Sequence, residues 1–142
     1  MTRAVPELST PAGLDGNHPV IGVGIDLVDV GRMERILARR PRFAERVFTA
    51  AEWDYCRRHA HPAEHAAARF AAKEAVVKVL GTGVFSVRLD QIEVTRGAGG
   101  GPSLALTGRA AQLAAELGVQ RWLVSLSHTD GVAGAVVVGL AD

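Results

Sequence analysis

PAEHAAARFAAKEAVVKVL, residues 62–80, reads as the longest helix of the chain. Its alanines, leucine, lysines and glutamates are good helix formers, and Pro62 suits a first helical position. Gly81 follows directly and fits the left-handed position that closes a helix. At 100° per residue, Glu74 falls about 40° from Phe70 and about 60° from Val77, inside the apolar stripe, with Ala67 on the same arc. A carboxylate there is costly unless a cation or strong donors meet it. Two readings stay open. One is a Glu74–Lys78 pair one turn apart, worth about 0.2–0.5 kcal/mol. The other is a ligand for a cation.

Working outward from this helix, Val20 to Ile25 form an apolar strand ending at Asp26. Asp29 can cap a helix carrying Val30, Met33, Ile36 and Leu37 at helical spacing. Thr49 and Glu52 have capping-box spacing, and Phe48 with Trp53 that of a hydrophobic staple, which predicts a helix over 50–59. Beyond Gly81, Gln91 to Arg96 and Ser103 to Leu106 read as strands around the turn Gly97 to Pro102. Thr107 caps a helix to Leu117, closed by Gly118. Arg121 to Ser127 and Val132 to Leu140 are strands flanking His128-Thr129-Asp130-Gly131, where Asp-Gly signals a hairpin. Helices and a largely antiparallel sheet, without repeat or linker, give an α+β class in one domain, 19–142. Residues 1–18, with Pro6, Pro11, Gly13 and Gly16, read as a flexible N-terminal extension with no signal-peptide core.

Composition removes several functions. The net charge of the 142-residue chain is +1 and aromatics make up 5%, a poor match to a nucleic-acid binder. No apolar run approaches the roughly 20 residues of a membrane span. Cys56 is the single cysteine, which excludes an internal disulfide and suits a reducing, cytoplasmic setting.

Asp26 sits where strands commonly present ligands, although a plain strand-to-turn aspartate is the simpler reading. Mg²⁺ is typically held by one or two carboxylates plus waters and substrate phosphates, a set that Asp26 and Glu74 would supply. Arg69, Lys73 and Lys78 share the helix of Glu74 and either contact those phosphates or form a solvated face. Gly22-Val23-Gly24 lacks the third glycine of a dinucleotide fingerprint, because Leu27 stands there. Gly81-Thr82-Gly83 follows a helix instead of opening one, so it is no phosphate loop. Ser125, Ser127, His128 and Asp130 have the residue types of a triad but no nucleophile elbow. Cys56, His59, His61 and His65 match no familiar zinc spacing. His128 is either a turn residue or a phosphate or proton contact. Between residues 32 and 46, six arginines (Arg32, Arg35, Arg39, Arg40, Arg42, Arg46) face Glu34 and Glu45, a patch suited to an acidic macromolecule or a solvated helix.

Read together, four blocks resemble the holo-acyl-carrier-protein synthase family, the small class of phosphopantetheinyl transferases. They are Gly24-Ile25-Asp26-Leu27-Val28-Asp29-Val30, Arg42-Phe43-Ala44-Glu45-Arg46, Arg69-Phe70-Ala71-Ala72-Lys73-Glu74-Ala75 continuing to Gly81-Thr82-Gly83, and Val124-Ser125-Leu126-Ser127-His128. The resemblance spans about Val20 to Leu140. It implies transfer of the 4′-phosphopantetheine arm of coenzyme A to a serine of an apo acyl carrier protein. It implies Mg²⁺ on Asp26 and Glu74, with Lys78 also catalytic, and coenzyme A contacts on Arg69, Lys73, Lys78, Gly81, Thr82 and His128. His128 would reach the coenzyme A of a neighbouring subunit. The carrier would dock on Arg32, Arg42, Phe43 and Arg46. The implied fold is a half-unit that assembles as a homotrimer, with active sites between subunits. The competing reading is a non-catalytic module that binds coenzyme A or an acidic protein. It gives Glu74 no purpose.

Overall fold

The computed structural model describes residues 17–83, 86–97 and 99–142. Among them, β1 (Val20–Asp29) leads directly into α1 (Val30–Arg39), followed by the short α2 (Phe43–Val47), α3 (Ala50–Arg57) and α4 (Pro62–Leu80). A 3₁₀ turn (Leu89–Gln91) precedes β2 (Ile92–Arg96) and β3 (Pro102–Leu106). Then come α5 (Gly108–Leu117), β4 (Arg121–His128) and β5 (Val132–Leu140). The predicted α+β class holds. All pairings are antiparallel: β1-β5-β4 form one sheet and β2-β3 a separate ribbon.

The caps act as their chemistry dictates. Asp29 accepts from Arg32 N at 2.7 Å. Thr49 and Glu52 complete a reciprocal capping box, and the Phe48 and Trp53 rings stack 6.2 Å apart. Gly81 (φ 69°) and Gly118 (φ 83°) close α4 and α5 in the left-handed region that glycine enters without strain. Thr107 stands at the N-cap of α5 without a side-chain cap bond. The arginine-rich stretch, read as one helix, is broken after Arg39, and Arg42 begins a second one.

α4 is the hub of the core. It packs on β1 and β5, and its alanines 66–68, 71, 72 and 75 are buried on nearly every side. The amphipathic stripe expected from the sequence is therefore replaced by an almost fully enclosed helix. Phe70, Glu74 and Lys78, four residues apart, trace its least buried line along the middle and C-terminal turns. Residues 1–16 of the expected extension lie outside the described residues. His18 Nδ1 lies 3.2 Å from the Ala141 carbonyl. The outer face of β1 exposes Val23, Ile25 and Leu27 (62, 58 and 69% exposed), continued on β5 by Val132 and Val136.

Candidate active site

Strand alternation directs Gly22, Gly24, Asp26 and Val28 of β1 inward, toward α4. A Cβ placed on Gly24 would lie 2.0 Å from the Ala75 carbonyl oxygen, so the strand backbone rests on the helix backbone. That contact brings Asp26, two residues along the strand, and Glu74, next to Ala75, to one groove of about 610 Å³. Arg32, Met33, Ile36, Phe43 and Phe70 also line it. Burial pushes the Glu74 carboxyl above its ordinary pKa, the Asp26 charge adds to the rise, and Lys78 partly opposes it. Lys78 does not settle on Glu74. Its ammonium donates to the Ile25 carbonyl at 2.7 Å and lies 3.3 Å from Asp26 Oδ1, at the exposed lip of the groove. Two mutually repelling carboxylates fit a divalent cation. No group of three or more His, Cys, Asp or Glu side chains forms a fuller cage among the described residues. That donor set suits a partly hydrated Mg²⁺.

A second, cationic pocket lies elsewhere on α4. Arg69 precedes Glu74 by five residues, about 140° around the helix. It joins Tyr55, His65, Arg96 and His128 around a cavity of about 160 Å³. The Arg69 guanidinium is buried and lies 4.1 Å from the Tyr55 ring centroid, while its Nε has no hydrogen-bond partner. Arg96 donates to the Tyr55 hydroxyl at 2.9 Å. The His65 ring stands 4.0 Å from His59 and 5.6 Å from His128. Burial holds the His65 imidazole below its usual pKa, helped by the charges of His59, Arg69 and His128. His128 Nδ1 lies 3.5 Å from Glu64 Oε2. Buried guanidinium nitrogen without a partner, beside a second arginine and a histidine, is the chemistry of an anion site.

The sequence model of the 4′-phosphopantetheinyl transferase superfamily matches residues 22–137. The chain belongs to that family. The transferase is 51% identical to the holo-[acyl-carrier-protein] synthase of Frankia casuarinae over 84% of its own length and 96% of the relative's. It is 48% identical to that of Moorella thermoacetica, over 84% and 93%. Its fold superposes on the Bacillus anthracis holo-(acyl-carrier-protein) synthase, solved in complex with CoA (3′,5′-ADP), with a TM-score of 0.70. There the identity is 31%, over 87% of this chain and 98% of the other.

The residues that the sequence led us to expect at the site fall in several places. Asp26, Glu74, Arg32 and Phe43 share the groove, with Lys78 at its lip; Arg69 and His128 share the cationic pocket. Arg42 and Arg46 flank Phe43 and are exposed. Gly81 and Thr82 follow the C-terminus of α4 and line neither cavity. Lys73 requires a correction. It is fully buried and donates to Glu52 Oε1 at 2.7 Å, the Leu89 carbonyl at 2.9 Å and the Ile92 carbonyl at 2.5 Å. All three donors are occupied in the core, so Lys73 does not offer its ammonium to a phosphate. Tyr55, His65 and Arg96 were not assigned to the site from the sequence. Tyr55 and Arg96 lie on α3 and β2, so only the tertiary fold brings them to Arg69, whereas His65 stands one turn before Arg69 on α4 itself.

Proposed function

We propose that this transferase moves the 4′-phosphopantetheine arm of coenzyme A onto a serine hydroxyl of an apo acyl carrier protein, releasing 3′,5′-ADP, with Mg²⁺ held by Asp26 and Glu74. The observation that carries this reading is the carboxylate pair across touching backbones, in a chain whose family transfers phosphopantetheine. When bound, Mg²⁺ neutralises pyrophosphate charge. Lys78, beside Asp26, faces the charge that develops as the serine oxygen attacks the β-phosphorus and the bond to 3′,5′-ADP breaks. The groove carboxylates are positioned to receive the serine proton. Arg69, Arg96 and His128 hold a phosphate of the nucleotide end, and exposed Arg32, Arg42 and Arg46 around Phe43 receive the acidic carrier.

A homotrimer accounts for two further features. The carboxylate groove and the cationic pocket open on different faces of α4, so one coenzyme A spans both only when a neighbouring copy contributes one of them. The exposed apolar face of β1 and β5 supplies a surface for that contact. No helix of the described residues is long and apolar enough to cross a membrane. We place the protein in the cytoplasm, where coenzyme A and a reduced Cys56 belong.

The test is intact-mass spectrometry of apo carrier incubated with the protein, coenzyme A and Mg²⁺. One added phosphopantetheine, abolished by chelation and by Glu74→Gln, supports the reaction and its site. No mass gain on carriers from several pathways would overturn it in favour of a non-catalytic binding module.

A further inference from the structure

Three residues of the cationic pocket come from elements that share no local sequence: Tyr55 from α3, Arg69 from α4 and Arg96 from β2. One buried ion pair joins all three. Glu52 Oε1 accepts from Lys73 Nζ and from Thr49 N, and its Oε2 accepts from Val94 N at 2.9 Å. Lys73 in turn holds the carbonyls of Leu89 and Ile92, at the start of β2. Both side chains are out of solvent, all three Lys73 donors are engaged, and both Glu52 oxygens accept hydrogen bonds.

The spacing from this pair to the pocket is regular. Tyr55 follows Glu52 by three residues on α3, one turn along the same face. Arg69 precedes Lys73 by four on α4, again one turn. Arg96 follows Val94 by two on β2, which places both on one side of the strand. Each of these three members of the pocket therefore sits one step from an atom that the ion pair fixes. The contacts themselves are short-range: Arg69 lies 4.1 Å and Arg96 5.2 Å from the Tyr55 ring centroid.

We infer that Glu52 and Lys73 are positioning residues for the cationic pocket, acting through Tyr55, Arg69 and Arg96 and touching no substrate themselves. The inference rests on the proposed reading of that pocket as the site of the nucleotide end of coenzyme A. Packing does not require such a pair, because an apolar pair of similar volume is often as stable as a buried salt bridge. The pair does what an apolar contact cannot: it ties two helices and a strand at defined atoms.

The experiment measures binding of 3′,5′-ADP by calorimetry to the parent protein, Glu52→Gln, Glu52→Gln/Lys73→Met and, as a control, Val137→Ala. The double variant removes both charges and keeps an acceptor for Val94 N, so no buried charge is left unpaired. Its affinity for 3′,5′-ADP is expected to fall by about tenfold or more, the effect typical of losing an outer support of a binding group. The core control, a buried β5 residue away from both cavities, is expected to melt earlier and bind as the parent does. In the transfer assay the double variant raises KM for coenzyme A with kcat changed less than about twofold. Its Mg²⁺ dependence stays put, because the Gly24–Ala75 contact holds the carboxylate side independently. A folded Glu52→Gln or double variant that binds 3′,5′-ADP with parental affinity overturns the inference. If the parent binds 3′,5′-ADP but transfers nothing, the proposed reaction fails while the positioning role is still read from binding. If the parent does not bind 3′,5′-ADP, both fail.

Discussion

Glu74 is held in a folded environment that favours its protonated form, and the sign of the consequence follows from that. A raised folded pKa contributes stability that is complete below the ordinary carboxylate range and is lost as pH rises through the raised value. Above that raised value, without metal, the ionised side chain therefore opposes folding. Glu74→Gln is expected to raise the melting temperature of the metal-free protein, measured by calorimetry. Transfer should drop by about 10²-fold or more, the scale of losing a main electrostatic contact. A lowered melting temperature would remove the carboxylate-repulsion account. Transfer in the parent should rise with pH through the same range, since a metal needs the ionised carboxylate. Cys56 behaves differently: complete burial pushes its thiol up to about 11. Thiol reagents at pH 8 should leave it unmodified until denaturant is added, as a colorimetric thiol titration would show. At this scale the sequence was informative but misleading in part. Glu74 was conspicuous as a carboxylate among apolar residues, yet the line of Phe70, Glu74 and Lys78 faces a groove, not the core. Lys73 read as a phosphate ligand because nothing near it in sequence announces Glu52 as its partner.

Elements meet here through backbone as much as through side chains. β1 lies against α4 so closely that Gly24→Ala would drive a methyl to 2.0 Å from the Ala75 oxygen. Since neither backbone can yield, the expected cost is about 3 kcal/mol or more, at the upper end for overpacking, read from a denaturant melt. The metal dependence of any surviving activity should weaken too, because the same contact sets how far Asp26 stands from Glu74. A variant with parental stability would show that the strand can slide. Caps and turns were legible because their signals are local: Asp29, the Thr49–Glu52 box, Gly81 and Gly118 act within one turn of chain. The short α2 and the 3₁₀ turn at Leu89–Gln91 left no such trace. Five and three residues are too few for a periodic pattern, and tertiary packing forms them.

Across the whole molecule, charge and apolar surface are divided. The arginines around Phe43 should matter for the protein substrate and not for the nucleotide. Arg42→Glu/Arg46→Glu is expected to raise KM for an acidic carrier by about tenfold at low salt, with less effect at 0.5 M salt and none on KM for coenzyme A. On the opposite account, an equal effect on both substrates would mark a folding defect. Val23→Arg, on the exposed sheet face, should give a folded monomer by light scattering that transfers little. An intact trimer in that variant would place the subunit contact elsewhere. The antiparallel α+β class could be read from strand and helix patterns. The proposed division of the site between two faces of α4 could not: the angle between residues 69 and 74 follows from their spacing, but Tyr55 and Arg96 on one face and Asp26 and Phe43 on the other come from distant elements. That bare sheet face also governs how the protein behaves when scarce. In the proposed trimer, where groove and pocket complete one site only by association, turnover per chain depends on dilution. At low enzyme levels the initial rate would climb faster than in proportion to the amount of protein added, and the decay of the rate after dilution would report the time the subunits take to part.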